Sequence, residues 1–219
     1  CFQRHQLIGK TGRDNPCEPA ANATIVRSYG TSAIWKTGAA MPPDPLSLVG
    51  LGLLGIALAE RFLTAKRDVI GYDLNGARRD LLVGLGGTAV TSLEALSRRL
   101  QGPLVLCLPT SDIACDVLDR LLPGMSPGQV VVDATTGEPE QTAATGARLA
   151  KRGGNYLDAT ISGSSQQARE GQVVVMAGGE AAAFARSEEL FRCFASRWFH
   201  VGPWGSGARM KLVSNLVLG

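Results

Sequence analysis

The chain has 219 residues, enough for one large domain or two small ones around a buried hydrophobic core. Its composition, 45% hydrophobic and 19% charged, is ordinary for a globular protein, and a formal net charge of +3 is too small to indicate a nucleic-acid partner or an anionic membrane surface. The five cysteines include no C-x-x-C pair that would suggest a zinc or redox site. We therefore expect no metal, no nucleic acid and no membrane partner, and reduced structural thiols at Cys107, Cys115 and Cys193 in a cytoplasmic protein.

The N-terminal part differs from everything that follows. Residues 1–40 have no sustained apolar period, are broken by Gly, Pro and Asn, and hold no apolar run long enough for a secretory signal or a membrane span. Their basic residues would fit a transit-type peptide, but Asp14 and Glu18 weaken that interpretation. We expect residues 1–44 to be an irregular or disordered extension, a tag or upstream translated sequence, and the ordered protein to begin near Pro45.

From Leu46 onward, short apolar runs alternate with stretches of helical periodicity. The predicted elements, in chain order, are a strand at LSLVG (46–50), a helix over 53–66, a strand at DVIGYD (68–73), a helix over 75–84, a short strand at GTAV (87–90), a helix over 91–100, a strand at PLVLCLP (103–109), a helix over 112–121, a strand at QVVVDAT (129–135), a helix over 138–152, a strand at NYLDA (155–159), a polar loop over 160–171, a strand at QVVVMAG (172–178), a helix over 180–195, a short strand over 198–201 and a helix from 205. Strands that alternate with helices of about 10–15 residues predict right-handed βαβ units. The predicted fold class is therefore α/β, with a Rossmann-type, doubly wound and mainly parallel sheet over residues 45–204.

Three glycines follow the first strand in the spacing G-x-G-x-x-G. Gly50 would allow the tight turn that leaves the strand, Gly52 would let the backbone approach a pyrophosphate, and Gly55 would let the helix pack closely on the sheet. The free N–H groups at the start of that helix, around Leu53 and Leu54, would face the phosphates at the positive end of the helix dipole. Because the chain has 27 glycines, the motif alone is also compatible with a glycine-tolerant helix start in an ordinary core.

An acidic residue at the end of the second strand favours dinucleotide binding. Asp73 follows Gly55 by 18 residues, close to the separation of about 20 that is typical of this motif. A carboxylate there accepts hydrogen bonds from the adenosine ribose and repels a 2′-phosphate, so we predict NAD rather than NADP. Arg78 and Arg79 could instead hold a 2′-phosphate, although we expect them on the exposed face of the next helix. Asp73 could alternatively be a helix N-cap.

Three later stretches, read in order behind GLGLLG, resemble the β-hydroxyacid dehydrogenase family. They are VLCLPTSD (105–112), YLDATISGSSQQAREGQVVVMAGG (156–179) and HVGPWGSGARMKLVSN (200–215). This family includes 3-hydroxyisobutyrate dehydrogenase and the NAD-binding domain of 6-phosphogluconate dehydrogenase. The resemblance runs from about Leu46 to the C-terminus, and it implies an oxidoreductase with a nicotinamide cofactor.

The resemblance also implies a substrate loop. The family pattern D-A-P-V-S-G-G begins here at Asp158 and reads D-A-T-I-S-G-S. Ser162 and the Gly163 amide would bind the substrate carboxylate and a hydroxyl, a role that O–H and N–H donors suit physically. Thr160 replaces the proline and Ser164 replaces the second glycine, so Ser164 would narrow the pocket or supply another donor. A polar surface loop is the alternative interpretation.

The catalytic lysine of the family lies in the pattern G-x-G-x-x-x-K-x-x-N-N. This chain matches it with Lys211 and Asn215, while Ser214 replaces the first asparagine. On a helix Lys211 and Asn215 project from one face. A lysine buried beside the cofactor can have its pKa lowered by desolvation, and it can then act as the acid or base for the substrate hydroxyl. Without the resemblance, a lone helical lysine would be a solvated surface residue.

Further cofactor contacts are implied by the same resemblance. Leu108 and Pro109 would line the pocket near the nicotinamide half, and Thr136 would touch the nicotinamide ribose region. These positions follow the carboxyl ends of strands, where ligands bind in open parallel sheets. We expect His200 to be structural rather than an acid or base.

The implied reaction is hydride transfer between NAD and a small 3-hydroxy acid, 3-hydroxyisobutyrate-like, or its semialdehyde. An NADPH-dependent reductase of glyoxylate or of succinic or tartronate semialdehyde is the alternative within the family, and a non-catalytic nucleotide-binding module is the alternative outside it. Full-length family members continue into an all-helical C-terminal domain that closes the active site and often forms a homo-oligomer. Because this chain stops at Gly219, we expect that domain to be absent, residues 205–219 to begin a truncated interdomain helix, activity to be impaired, and the run LVSNLVLG to be exposed.

Overall fold

One eight-stranded sheet forms the centre of residues 45–218, the part of the chain that the computed structural model describes. The predicted extension over residues 1–44 lies outside the described residues. The strands are β1 Leu46–Val49, β2 Val69–Tyr72, β3 Thr88–Ala89, β4 Leu104–Leu106, β5 Val130–Asp133, β6 Asn155–Ser162, β7 Val173–Gly179 and β8 Ala195–Gly202. Their order is β3-β2-β1-β4-β5-β6-β7-β8, and every neighbouring pair is parallel except β6 with β7. The predicted mainly parallel sheet is confirmed.

Helices cover both faces of this sheet. They are α1 Leu53–Thr64, α2 Gly76–Gly84, α3 Leu93–Ser97, α4 Ser111–Leu121, α5 Pro139–Ala150, α6 Ser165–Arg169, α7 Ala181–Arg192 and α8 Ser206–Leu218, with a 3-10 turn at Leu122–Gly124 after α4. Successive strand residues point to opposite faces, so that Val132 joins a core that includes residues of α1 and α7 while Val131 joins a core that includes residues of α3, α4 and α5. The sheet is therefore buried on both sides, as a doubly wound fold requires.

The segment predicted as a polar loop, 160–171, is structured. Strand β6 continues to Ser162, because the backbone of Thr160 and Ile161 pairs with the antiparallel strand β7. The side chains of both residues are buried. The short helix α6 follows, and it begins with a capping box in which Ser164 and Gln167 satisfy each other's backbone amides. Polar composition indicated a loop here, whereas the residues in fact pair with a strand that comes later in the chain.

The boundary between α7 and β8 also differs from the prediction. The helix ends at Arg192 and the strand begins at Ala195, three residues before the predicted start. The reason is the pairing of Ala195 with Val173 on β7, which extends the edge strand.

Among residues 45–218, no helix is both long and apolar enough to cross a membrane.

The strand order reverses between β1 and β4, which lie side by side at the centre of the sheet. Chain segments leave these two strands toward opposite faces, so a crevice forms beyond their carboxyl ends. The loops that follow β1, β2, β4, β5 and β6 all begin at this edge, because these five strands are parallel to one another. The predicted site residues of those loops are thereby collected along one side of the sheet.

Candidate functional site

The three glycines of the turn between β1 and α1 differ in their surroundings. Gly50 has φ +90°, a conformation that favours glycine, and its amide donates to the Tyr72 carbonyl at 2.9 Å. A Cβ on Gly55 would overlap the Gly50 carbonyl oxygen, so glycine lets α1 approach the turn. A Cβ on Gly52 would instead have no heavy atom of residues 45–218 within 4 Å. Gly52 is the N-cap of α1, and the N–H groups that follow it have no carbonyl partner within the helix.

Asp73 ties the end of β2 to this turn. One carboxylate oxygen accepts the Leu51 amide at 2.7 Å, and the other accepts the Asn75 amide at 2.8 Å. The N-cap of α2 is Asn75, whose side chain accepts the Ala77 amide at 2.9 Å, so the N-cap alternative for Asp73 is wrong. A carboxylate has about four acceptor sites, and Asp73 therefore retains capacity to accept ligand hydroxyls.

The expected exposure of Arg78 and Arg79 on α2 is wrong, because both residues are half-buried. The Arg79 guanidinium reaches back and donates from Nη1 to the carbonyl oxygens of Asp73 at 2.7 Å and Leu74 at 3.1 Å. Arg79 stands in the first turn of α2, and its long side chain can satisfy carbonyls of the preceding loop that no helical amide reaches. A positive charge therefore lies in the β2–α2 loop beside Asp73.

A cavity of about 290 Å³ lies beyond the carboxyl ends of β1, β2 and β4. Small-molecule sites begin at about this size. Five predicted cofactor residues, Gly50, Gly52, Asp73, Leu108 and Pro109, are brought together in its wall. The remaining wall is formed by Val49, Tyr72, Leu74, Leu93, Cys107, Ile113, Asp116, Val117 and Arg120. Its apolar side chains suit a flat aromatic group, while Asp73, Asp116 and Arg120 supply charged groups in the wall.

A buried hydrogen-bond network lies at the ends of β4 and β5. Asp133 accepts the Thr135 amide at 2.9 Å and the Tyr156 hydroxyl at 2.7 Å, and the Thr135 hydroxyl oxygen accepts the Leu108 amide at 3.2 Å. Burial raises the pKa of Asp133, although hydrogen bonds from Thr135 and Tyr156 oppose this. Burial, followed by the charge of Asp133, raises the pKa of Tyr156. Thr135 is buried, whereas the predicted cofactor residue Thr136 is exposed at the same strand end.

The predicted substrate loop joins β6 to α6. Ser162 is the last residue of β6 and is half-buried, and Gly163 turns the chain with φ +136°. Ser164 is the N-cap of α6: its hydroxyl oxygen accepts the Gln167 amide at 3.1 Å, and the Gln167 side chain accepts the Ser164 amide at 2.8 Å. The hydroxyl proton of Ser164 is not used in this capping box and can still be donated to a ligand.

The first turn of α8 is anchored on β6. The two carboxylate oxygens of Asp158 accept the amides of Gly205 at 3.1 Å and Ala208 at 3.0 Å. The Thr160 hydroxyl, where the family pattern has proline, donates to the Gly207 carbonyl at 2.9 Å. A Cβ on Gly207 would overlap the Asp158 carbonyl oxygen. Burial raises the pKa of Asp158, whereas the hydrogen bonds from the backbone amides of Ala208 and Gly205 lower it by a smaller amount.

Lys211 follows one turn after this anchor, and Asn215 follows one turn after Lys211. Both lie on α8 at the predicted i, i+4 spacing. Lys211 and Ser214 are half-buried, whereas Asn215 is exposed. The later part of α8 carries large apolar side chains on its surface, with Leu216 84% and Val217 78% exposed. The predicted exposure of the run LVSNLVLG is thereby confirmed for its apolar residues Leu212, Val213, Leu216 and Val217.

No motif in the sequence assigns a role to Asp133 or Tyr156, and Asp158 is there only the first residue of the substrate pattern. The signal available for the two aspartates was an acid placed at or near the end of an apolar strand, in VVVD and in YLD. Their partners lie 23 residues away for Asp133 and about 50 residues away for Asp158, so sequence could not supply them.

Other reactive groups have structural surroundings. Cys107, Cys115 and Cys193 are free thiols, and burial raises the pKa of Cys107 and of Cys193. His200 shares a hydrogen bond of 2.7 Å with the Gly179 carbonyl, which agrees with the expected structural role. Within the described range, 45–218, no three His, Cys, Asp or Glu side chains are grouped as metal ligands would be.

Residues 45–202 match the family described as the NAD binding domain of 6-phosphogluconate dehydrogenase. This match covers most of the chain, and the chain belongs to that family. Residues 45–202 therefore form an NAD-binding domain.

Relatives and solved structures of this kind are longer than the chain. Cytokine-like nuclear factor N-PAC of Xenopus tropicalis is 27% identical over 207 residues, 92% of this chain and 38% of that protein. Glyoxylate/succinic semialdehyde reductase 2, chloroplastic, of Arabidopsis thaliana is 27% identical over 177 residues, 80% of this chain and 49% of that protein. The crystal structure of 3-hydroxyisobutyrate dehydrogenase (ygbJ) from Salmonella typhimurium has a TM-score of 0.74 and 28% identity, over 78% of this chain and 61% of that chain. The chain spans between 38% and 61% of the length of these three proteins.

Proposed function

We propose that this chain is the cofactor-binding part of a dehydrogenase that transfers a hydride between NAD and a small 3-hydroxy acid, of the 3-hydroxyisobutyrate type, or its semialdehyde. The observation that carries the proposal is the open space around the Cβ position of Gly52. This glycine stands at the start of α1 with no described atom near its Cβ position, and the Asp73 carboxylate lies in the wall of the same cavity, 2.7 Å from the Leu51 amide. Such a cradle fits a diphosphate and an adjoining ribose.

The cofactor residues divide between two halves of the crevice. In this proposal the turn residues Gly50, Gly52 and Gly55 and the amides of Leu53 and Leu54 hold the pyrophosphate. On the β2 side, Asp73 accepts from the adenosine ribose. On the other side of the strand-order reversal, Leu108, Pro109 and Thr136 contact the nicotinamide half. When NAD is bound, its nicotinamide ring supplies the hydride acceptor.

We propose NAD over NADP because the Asp73 carboxylate would repel a 2′-phosphate. The feature that favours NADP is the Arg79 guanidinium, whose Nη1 lies 2.7 Å from the Asp73 carbonyl oxygen. Both hydrogen bonds that it makes to the loop carbonyls come from Nη1, so its other N–H groups could still donate to a phosphate. Titration of the chain with NADH and with NADPH tests the preference, and tighter binding of NADPH would overturn it.

In this proposal Lys211 is the acid or base that exchanges the proton of the substrate hydroxyl. Asn215 orients the Lys211 side chain. The contacts of α8 support this assignment: Asp158 and Thr160 of β6 hold its first turn, so α8 starts beside the strand that ends at Ser162. Lys211 follows Gly207 by about one helical turn, roughly 6 Å along the helix axis. A half-buried lysine there can exchange a proton with a substrate hydroxyl.

The substrate carboxylate is assigned to Ser162, Gly163 and Ser164. The hydroxyl groups of Ser162 and Ser164 and the Gly163 amide are donors at a chain turn that is partly exposed. Hydroxyl and amide donors of this kind suit a small anionic acid.

We also place the protein in the cytoplasm, because the thiols of Cys107, Cys115 and Cys193 are free, as is usual in a reducing compartment.

A non-catalytic nucleotide-binding module is the second candidate. The observation that favours it is that N-PAC, whose name is that of a nuclear factor, matches 92% of the chain. In this case the cavity binds a nucleotide and Lys211 has no catalytic role.

The cofactor site is tested by Gly52→Ala, with Gly84→Ala as the matched control. Neither added methyl group would meet a described heavy atom within 4 Å, so both variants should fold. The methyl at position 52 would occupy the space assigned to the pyrophosphate. We expect Gly52→Ala to weaken NADH binding at least tenfold in calorimetric titration, a loss of about 1.4 kcal/mol, and Gly84→Ala to bind as wild type. Equal affinity of all three proteins would sink the assignment.

The reaction is tested by formation of NADH from 3-hydroxyisobutyrate and NAD, using the wild-type chain and Lys211→Met. We expect slow turnover by the wild type and at least a hundredfold less by Lys211→Met with unchanged NADH affinity. Turnover that survives the substitution contradicts the role of Lys211. NADH binding without any turnover by the wild type favours the non-catalytic module.

A further inference from the structure

Asp133 and Tyr156 form a buried polar pair that the proposed function does not use. Both residues are almost fully buried, and the Tyr156 hydroxyl donates to Asp133 at 2.7 Å. A carboxylate in such a place is costly, and an apolar side chain of similar size would fill the space without that cost. The pair therefore calls for a function that packing alone does not supply.

The pair continues into a chain of hydrogen bonds that crosses three strands. From β6, Tyr156 donates to Asp133 on β5, and the other Asp133 oxygen accepts the Thr135 amide two residues further on. The Thr135 hydroxyl oxygen then accepts the amide of Leu108, which follows β4. This chain fixes the end of β5 against the end of β4. It therefore sets the spacing of the two loops that carry Leu108 and Thr136.

The position of these loops follows from the strand order. The cavity contains Asp73 from the end of β2 and the glycine turn from the end of β1, and it extends to Leu108 beyond β4. A dinucleotide whose adenosine ribose lies at Asp73 must cross the strand-order reversal toward β4 and β5. In the proposed binding mode its nicotinamide half lies over Leu108 and Thr136, which the hydrogen-bond chain connects, while its adenosine ribose and pyrophosphate are held by Asp73 and the glycine turn.

We propose that Asp133, Thr135 and Tyr156 are positioning residues for the nicotinamide half of the cofactor, acting through Leu108 and Thr136. This inference rests on the proposed cofactor site. It assigns to the network no contact with the cofactor and no proton transfer. Its consequence is selective: disturbing the network should weaken binding of the complete dinucleotide and leave binding of the adenosine diphosphate portion unchanged.

The test uses Thr135→Val, with Thr135→Ser as the matched control. Valine has nearly the shape of threonine, but it lacks the oxygen that accepts the Leu108 amide, and serine restores that oxygen. Calorimetric titrations would compare NADH with ADP, which carries the adenosine and diphosphate but not the nicotinamide half. For Thr135→Val we expect NADH affinity to fall about fivefold, the factor that corresponds to one net hydrogen bond, and ADP affinity to change less than about twofold. Thr135→Ser should bind both ligands as wild type does.

A parallel loss of NADH and ADP affinity would overturn the inference, because it would indicate a general structural defect. Unchanged NADH affinity in Thr135→Val would also overturn it. Failure of the wild type to bind either ligand would overturn the proposed cofactor site itself and with it this inference. A second variant, Tyr156→Phe, removes the donor to Asp133 from the other end of the network, and the same selective loss is expected there.

Discussion

At the scale of single residues, Asp158 links the sheet to its last helix. Its two carboxylate oxygens accept the amides of Gly205 and Ala208, which belong to the entry and first turn of α8. The helix dipole and these two donors favour a negative charge there, whereas burial raises the pKa of the carboxyl. The net direction is a raised pKa, so desolvation is the larger effect.

We predict that Asp158→Asn lowers the free energy of unfolding by about 1–3 kcal/mol, because an amide retains only one acceptor oxygen for two amide donors. The native pKa is above the unfolded value of about 3.9. The wild type therefore loses stability, relative to the variant, as the pH rises from the unfolded pKa through the native pKa. The destabilisation by Asp158→Asn should be larger at pH 4 than at pH 7. Urea unfolding of both proteins at the two pH values measures this, and the opposite trend would show that the native pKa is lowered.

At the scale of elements, the approach of α1 to the glycine turn determines the shape of the cofactor site. The helix can start next to β1 because Gly55 has no side chain in the place taken by the Gly50 carbonyl oxygen. The same approach brings the amide of Leu51 within 2.7 Å of Asp73. A shift of α1 would therefore move the proposed phosphate-binding turn and the proposed ribose acceptor, Asp73, together.

We predict that Gly55→Ala destabilises the protein by about 3 kcal/mol, because the added methyl group overlaps backbone rather than a movable side chain. Gly84→Ala in α2, where the methyl group meets no described atom within 4 Å, should change stability by less than about 1 kcal/mol. Thermal and urea unfolding of the two variants compare these effects. Equal stability of Gly55→Ala and the wild type would mean that α1 can move away without cost.

At the scale of the whole molecule, the site is built from five parallel strands whose carboxyl ends meet at one edge. The glycine turn follows β1, Asp73 follows β2, and the later loops follow β4, β5 and β6. A ligand that spans several of these loops binds the folded chain and not the unfolded chain. Binding should therefore stabilise the entire sheet.

We predict that NADH at about one hundred times its Kd stabilises the fold by about 2.7 kcal/mol and raises Tm by roughly 5–10 °C. The Gly52→Ala variant at the same NADH concentration should show a clearly smaller rise. Thermal unfolding followed by circular dichroism, with and without NADH, measures both. An unchanged Tm for the wild type at high NADH concentration would contradict a cofactor site on this domain.

Several features of the site follow from sequence with little help from the structure. The glycine spacing, the apolar strand before it and Asp73 after the next strand predict a turn and an acid at one sheet edge, because local periodicity determines where strands end. The spacing of Lys211 and Asn215 likewise predicts a shared helical face. These predictions depend on contacts between residues that are near in sequence or on a rule that holds for parallel sheets in general.

Other features could not be predicted because their partners are distant along the chain. Thr160 and Ile161 became part of β6 only through pairing with β7, and Ser164 became an N-cap only once the strand ended at Ser162. Arg79 turned back toward Asp73 because the carbonyls of that loop needed donors. Each of these outcomes depends on which polar groups the fold leaves to be satisfied.

The sequence by itself therefore determined the fold class, the family and five of the residues that line the cavity, since these depend on periodicity and short motifs. The tertiary structure alone decided how the loops are held: Asp158 and Thr160 anchor α8, and Asp133 with Tyr156 and Thr135 joins the ends of β4 and β5. The physical reason is that a buried polar group forms its hydrogen bond with whichever partner the fold brings close to it. The number of residues between two groups along the sequence does not indicate which partner that is.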